Sequence, residues 1–215
     1  MRQARMVVAV SGILLAGCTA FGIRAGTAEP RYTVLAAPNG LEVRLYEPRI
    51  AAETAVAADE ETARYDGFRR LAHYIFGGNR AATTIDMTVP VAQQPAAAPK
   101  SETIAMTAPV GQARGDDGQW VIRFFMPADS TLETLPTPED PAVVLVQVPG
   151  ESIAVLRFTG FWGAETIAAR QAELLQRLET TAWKPAGTPV AWFYDPPWTI
   201  PFLRRNEVVV PVVAR

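Results

Sequence analysis

Ile85–Val91 (IDMTVPV) and Ile104–Val110 (IAMTAPV) are two copies of one pattern, Ile-x-Met-Thr-x-Pro-Val. Read with period two, Ile85, Met87, Val89 and Val91 share one face of a strand, and Ile104, Met106, Ala108 and Val110 one face of another. Proline has no N–H to give to a β-ladder, so Pro90 and Pro109 belong at edges, strand ends or bulges. Joined by the Pro/Ala/Gln stretch Gln93–Lys100, the copies read as neighbouring strands of one sheet.

Outward from this tandem the chain reads mostly as strand. Leu41–Tyr46 alternates, with Asn39-Gly40 as the turn that pairs it with Tyr32–Leu35. Further strands are expected at Ile50–Ala57, Thr84–Val91, Thr103–Val110, Trp120–Met126, Val143–Val148, Ser152–Thr159, Thr188–Tyr194 and Glu207–Val213. Two helical stretches interrupt them. Glu60–Phe76 carries Phe68, Leu71, Ala72 and Ile75 at helical spacing and stops at Gly77-Gly78-Asn79; Ala164–Ala182 carries Ile167, Gln171, Leu174, Leu175 and Leu178 on one stripe. Strand–helix–strand therefore occurs twice. The expected fold is a single α+β domain of duplicated units, a distorted, mainly antiparallel β-barrel with two packed helices.

The bulk composition supports one domain: a chain of 215 residues, 49% of them hydrophobic, can bury roughly 70% of the surface it exposes when unfolded. A net charge of −2 leaves no basic excess to displace counterions from phosphates, so no nucleic-acid partner is expected. One cysteine and one histidine cannot supply the four protein ligands of a structural zinc site or the usual three of a catalytic one.

The start reads as a targeting segment. Arg2 and Arg5 precede the apolar stretch Met6–Leu15, which is too short to span a bilayer and runs into Leu15-Ala16-Gly17-Cys18. Small residues before a cysteine at this place resemble a bacterial lipobox. The resemblance implies a signal peptide over residues 1–17, lipidation of Cys18, a tether over residues 18–30 and a folded domain over residues 31–215. Thr19, rather than Asp, after the cysteine favours an outer-membrane anchor by the same resemblance. The alternative is an ordinary secretory signal cut after Ala28. Either way the protein is exported to the envelope, and no disulfide forms.

His73 would have to be the base of any Ser/His/Asp or Cys/His arrangement, and no G-x-S-x-G elbow accompanies it. No nucleotide fingerprint is present either. On the first helix, one flank of the core face runs through Ala72, Tyr65, Phe76, Arg69 and His73. Two aromatics beside a guanidinium and an imidazole suit a groove for a flat apolar ligand with anionic edges. The competing reading is a boundary stripe whose polar tips reach water. Tyr194–Phe202 (YDPPWTIPF) contains three prolines, which stiffen a loop displaying Trp198 and Phe202; these cap the barrel or wall a pocket. Arg204 and Arg205 follow, either as partners for ligand carboxylates or as a structural ion-pair cluster. Met87 and Met106 read as core filler rather than thioether ligands.

The double motif, Gly67-Phe-x-x-Leu-x-x-Tyr-Ile75 with Asn79, VIRFFMPADSTLETLPTPED (121–140), AVLRFTG (154–160) and YDPPWTIPFLRRNEV (194–208) together resemble the SOUL haem-binding protein family over about Arg31–Val213. The resemblance implies a duplicated α+β barrel like that of bacterial effector-binding domains. It also implies haem or a related tetrapyrrole in a hydrophobic groove along the first helix, near the C-terminal loop. Together with the helix flank and C-terminal loop read above, the residues expected at that site are Tyr65, Phe68, Arg69, Ala72, His73, Phe76, Trp198, Phe202, Arg204 and Arg205; at His73 other members carry different residues. The position before Tyr46, a histidine in some members, is Leu45 here. His73 is then the candidate axial ligand, and propionates would pair with Arg69, His73, Arg204 or Arg205. Three functions follow: a lipid-anchored tetrapyrrole carrier or buffer without enzymatic activity, an enzyme modifying a tetrapyrrole or other hydrophobic small molecule through His73 and Tyr65, or an effector-sensing or protein-interaction module.

Overall fold

The structure, a computed structural model, describes residues 28–95, 119–195 and 198–215. Cys18, the second motif copy at Ile104–Val110, and Pro196 and Pro197 lie outside the described residues. The elements run β1 (Tyr32–Ala36), β2 (Glu42–Tyr46), β3 (Arg49–Ala57), α1 (Glu60–Ile75), β4 (Val91–Pro95), β5 (Gln119–Phe125), β6 (Val144–Val148), β7 (Glu151–Phe158), α2 (Ala164–Leu178), β8 (Trp183–Pro185), β9 (Val190–Phe193) and β10 (Asn206–Ala214). One curled sheet takes nine strands in the order β1-β2-β7-β10-β9-β4-β5-β3-β6, every pairing antiparallel, with β8 added beside β10.

The duplication is visible in that order. Half 1 reads β6-β3-β5-β4, half 2 reads β2-β7-β10-β9, and the two meet where β4 pairs with β9. In each half the strands before and after the helix are separated by a third strand, β5 between β3 and β4, β10 between β7 and β9. The expected strand–helix–strand units are therefore present, but their strands are not direct neighbours.

Alternation along the strands builds the core. Val208, Val210 and Val212 face α2 with Leu174 and Leu178, whereas Val209 faces the opposite side of the sheet with Tyr46, Trp192 and Tyr194. Ile122 and Phe124 face α1 with Leu71 and Ile75, and Phe125 turns the other way. Both helices thus cover one face, while the other curls on its own side chains. Pro211 sits in the gap where β10 leaves β9 at Val209 and takes up β8 at Val212, a place where its missing N–H costs no ladder bond to either strand.

Three expectations are corrected. The first motif copy is not a strand through its length, since the strand begins at Val91. The Ile85 N–H goes instead to the Ile75 carbonyl at 2.7 Å and the Val89 N–H to the Ala28 carbonyl at 3.0 Å, while the Thr88 hydroxyl donates to the Phe125 carbonyl. Without a pleat the faces do not alternate: Ile85 and Val91 join the cluster under α1, but Val89 joins the opposite one. The second helix ends at Leu178, short of Ala182, because the Thr181 hydroxyl accepts from the Trp183 N–H and the chain turns into β8, which the sequence pattern did not announce.

Candidate functional site

α1 begins at Asp59, whose carboxylate accepts from the N–H groups of Glu61 and Thr62. It ends in a Schellman arrangement: Gly77 takes a positive φ of 116°, the Gly78 N–H bonds the His73 carbonyl at 2.8 Å, and the Gly77 N–H points to the Tyr74 carbonyl at 3.4 Å. Gly78 also makes room for the His73 ring, which a Cβ there would strike. Gly67 lets the helix lie close to the sheet, since a Cβ there would come 2.6 Å from Ile122 Cγ1.

This seating fixes which side chains remain outside. Phe68 is half-buried and meets Phe124 edge-on at 5.3 Å between centroids; Ala72 is half-buried over the same cluster. Tyr65 is 62% exposed and Phe76 64%, with Arg69 and His73 exposed between them. The Arg69 guanidinium lies 5.9 Å from the centre of the Tyr65 ring, within cation–π range. The flank expected from the helical spacing is thus an open, aromatic and basic stripe, and the described side chains leave it uncovered.

The C-terminal residues divide. Trp198 is 64% exposed and Phe202 70%, and Phe161, whose role the sequence did not suggest, is 72% exposed. The Gly160 N–H bonds the Pro201 carbonyl at 2.9 Å, tying the loop that carries Phe161 to the one that carries Phe202. Arg204 and Arg205 point to opposite faces. Arg204 is buried, with its guanidinium 4.4 Å from the Trp162 ring and Nε donating to the Thr199 carbonyl at 2.7 Å. Burial lowers its pKa, against the charge of Asp195. Arg205 stacks on Tyr194 at 3.8 Å, bonds Glu207, and reaches Glu29 at 2.8 Å. Both arginines therefore have partners within the fold. The α1 flank and the C-terminal loop are linked through Arg64, whose guanidinium covers the Phe193 ring at 4.6 Å while Phe193 meets Trp162 at 5.3 Å.

On the other face, Glu207 is fully buried. It accepts two bonds from Arg44 at 2.9 and 3.1 Å, one from the Tyr194 hydroxyl at 2.6 Å and two from Arg205 at 3.0 and 2.9 Å. Burial alone would raise its pKa, but Arg44, Arg205 and Tyr194 outweigh it and hold the carboxyl below its ordinary value. The Tyr194 phenol is pushed up, first by burial and then by the Glu207 charge. This is a structural ionic cluster.

A cavity of about 310 Å³ lies away from α1, bordered by Arg31, Glu47, Arg49, Met126, Leu132 and Glu133. Among the described residues no group of three or more His, Cys, Asp or Glu side chains could hold a metal ion. No helix among them is long and apolar enough to cross a membrane.

The family model described as "SOUL heme-binding protein" matches residues 27–211. The chain belongs to the SOUL haem-binding family. No curated protein matches it. Among solved structures, the EcmrR C-terminal domain is similar at 10% identity and TM-score 0.52, covering 86% of this chain and 99% of that one. A protein from Listeria innocua named as a hydrolase is similar at 15% identity and TM-score 0.51, covering 83% and 94%. At these identities the likeness is one of fold.

The residues of the α1 stripe fit a tetrapyrrole in chemical kind. Tyr65, Phe68 and Phe76 offer apolar faces, and Arg69 and His73 offer positive or hydrogen-bonding groups where propionates would lie. Arg204 and Arg205 already serve the fold.

Proposed function

We propose that this SOUL-family protein binds haem or a related tetrapyrrole non-covalently along the exposed flank of α1, as a lipid-anchored carrier or buffer of the bacterial cell envelope. The observation that carries the reading is the pairing of family membership over residues 27–211 with two aromatics left in water, Tyr65 and Phe76, on either side of Arg69 and His73. Exposed rings gain nothing for folding, whereas a porphyrin laid on them removes apolar area from water at about 25 cal/mol per Å². Tyr65, Phe68, Ala72 and Phe76 would hold the macrocycle and Arg69 would pair a propionate. Phe161 joins Trp198 and Phe202 as a further wall. Haem, when bound, supplies the iron and the Soret absorbance; His73 is the imidazole of this flank and the candidate side chain to ligate it. The reading is of a binder rather than an enzyme, as the family description is.

Membrane attachment is proposed through Cys18, with residues 1–17 removed and the outer membrane as the site. The described chain starts already fixed to the domain, Ala28 bonding Val89 and Glu29 bonding Arg205. Ala28 lies ten positions after Cys18, so the tether would reach at most about 35 Å.

Haemin titration of the full-length chain is the test. A saturable Soret shift with a dissociation constant on the order of micromolar is expected. Phe76→Asp should weaken it, and unchanged binding in that variant would remove the flank from the site. Cys18→Ser should move the protein out of the membrane fraction; retention there would end the anchor.

A further inference from the structure

Arg49 stands at the start of β3 with its side chain 8% exposed. Its guanidinium is held between the Tyr46 ring at 4.6 Å and the Phe125 ring at 4.7 Å. Nη2 bonds Glu151 Oε1 at 3.1 Å, and Nε and Nη1 are buried with no hydrogen-bond partner. Other buried guanidinia here are differently served: that of Arg44 uses Nε, Nη1 and Nη2 on Glu42 and Glu207. A buried donor left unsatisfied is costly, more so when charged, so an acceptor brought to it is favoured. Arg49 also borders the cavity of about 310 Å³, a size at the lower end of small-molecule sites.

We propose that this cavity is a second binding site, for a small apolar carboxylate whose anionic end pairs with Arg49 and whose body lies against Met126 and Leu132. A turn of the guanidinium about its stem presents the unpartnered N–H groups to the cavity while the two rings keep its plane. Planar guanidinium and planar carboxylate match in geometry, which favours a carboxylate over a tetrahedral anion at a site walled by rings. The carboxylates facing the cavity, Glu47 and Glu133, are exposed, so water screens their repulsion of an anion; Arg31 at the edge adds a positive charge. The cavity borders none of the α1 residues assigned to the tetrapyrrole.

The test is titration of the full-length chain with sodium benzoate, benzyl alcohol and inorganic phosphate, read by saturation-transfer NMR. Benzoate should bind saturably, and the other two should bind at least about tenfold more weakly. Arg49→Met should lose benzoate binding without changing the haemin titration. Leu132→Trp, at an exposed position on the cavity wall, should lose it with Arg49 intact and the melting temperature unmoved; this variant decides the matter if Arg49→Met does not fold. Absence of saturable benzoate binding overturns the proposal. So does equal binding of phosphate or benzyl alcohol, or benzoate bound as tightly by Leu132→Trp as by the parent. Loss of haemin binding in a folded Arg49→Met protein would show that the cavity belongs to the tetrapyrrole site instead. Failure of haemin to bind the parent protein, with benzoate still bound, would sink the proposed function and leave this site standing.

Discussion

α1 and α2 occupy corresponding places in the two halves of the sheet, and inward they are alike. Leu71 and Ile75 of α1 and Leu174 and Leu178 of α2 are all buried against the strands beneath them. Outward they part company. α2 shows water Glu165, Ala168, Ala169, Ala172 and Gln176, with an Arg170–Glu173–Arg177 ladder at its flank. α1 shows water Tyr65, Arg69 and His73 and ends on exposed Phe76. A helix needs no aromatic on its wet side to fold, as α2 demonstrates in the same molecule. What folding requires is common to both halves, and the proposed ligand flank lies where they differ.

The halves differ also in how they hold charge, and here the largest effect is expected. Half 2 encloses Glu207 between Arg44 and Arg205, whereas the Arg123–Glu53 pair of half 1 stays partly exposed. Glu207→Ala leaves two guanidinia without their acceptor and should cost about 3–5 kcal/mol in denaturant unfolding. Its half 1 counterpart test, Glu53→Ala, should cost about 1 kcal/mol or less. Because the folded pKa of Glu207 lies below its unfolded value, its contribution is present above about pH 4.5 and disappears as pH falls through the folded value. Melting temperatures of the parent should therefore fall on acidification over that range, and those of a folded Glu207→Gln protein should fall less. Equal slopes would show that the acid sensitivity lies elsewhere.

If the inward faces are equivalent, core truncations must be too. Leu71→Ala and Leu174→Ala should each cost about 2–5 kcal/mol, and a difference above that spread would break the equivalence. Gly67→Ala sharpens the comparison. Alanine would ordinarily strengthen a helix by about 1 kcal/mol, but here its Cβ meets the buried Ile122 side chain, so a net loss of about 1–3 kcal/mol is expected. A stabilised Gly67→Ala protein would mean that α1 lies no closer to the sheet than its spacing demands.

Much of this arrangement was legible in the sequence because it rests on local rules. Alternation announced β2, strand-like runs marked β5 and β7, a glycine pair closed α1, and the repeated strand–helix–strand order announced the duplication. The motif at Ile85–Val91 misled because its backbone groups are satisfied by Ile75 and Ala28 rather than by a ladder, which no spacing rule reveals. The α1 flank was readable as a stripe on one helix. For Arg204 and Arg205 the ion-pair alternative was readable, but the split was not: one turns toward Trp162 and the other toward Glu29 and Glu207. Nor was the Arg49 cavity, which is assembled from segments around Arg31, Pro48, Met126 and Gln147 that meet only in the folded sheet.

The smallest expected effects concern the outward faces, where stability should not change and ligand binding should. Phe76→Asp on α1 and Gln176→Asp on α2 place the same charge at exposed positions near the ends of corresponding helices. Neither removes a buried contact, so melting temperatures should stay within about the shift of a surface substitution, 0.5 kcal/mol. Haemin affinity should fall about tenfold in Phe76→Asp, equivalent to 1.4 kcal/mol, and remain unchanged in Gln176→Asp. His73→Ala separates two uses of the same flank. If the imidazole ligates iron, the Soret band moves even where affinity falls only a few-fold. If it serves as a hydrogen-bonding edge beside Arg69, affinity shifts slightly with the spectrum intact. An equal response to Phe76→Asp and Gln176→Asp would erase the distinction between the helices, and with it the reason to place the ligand on α1.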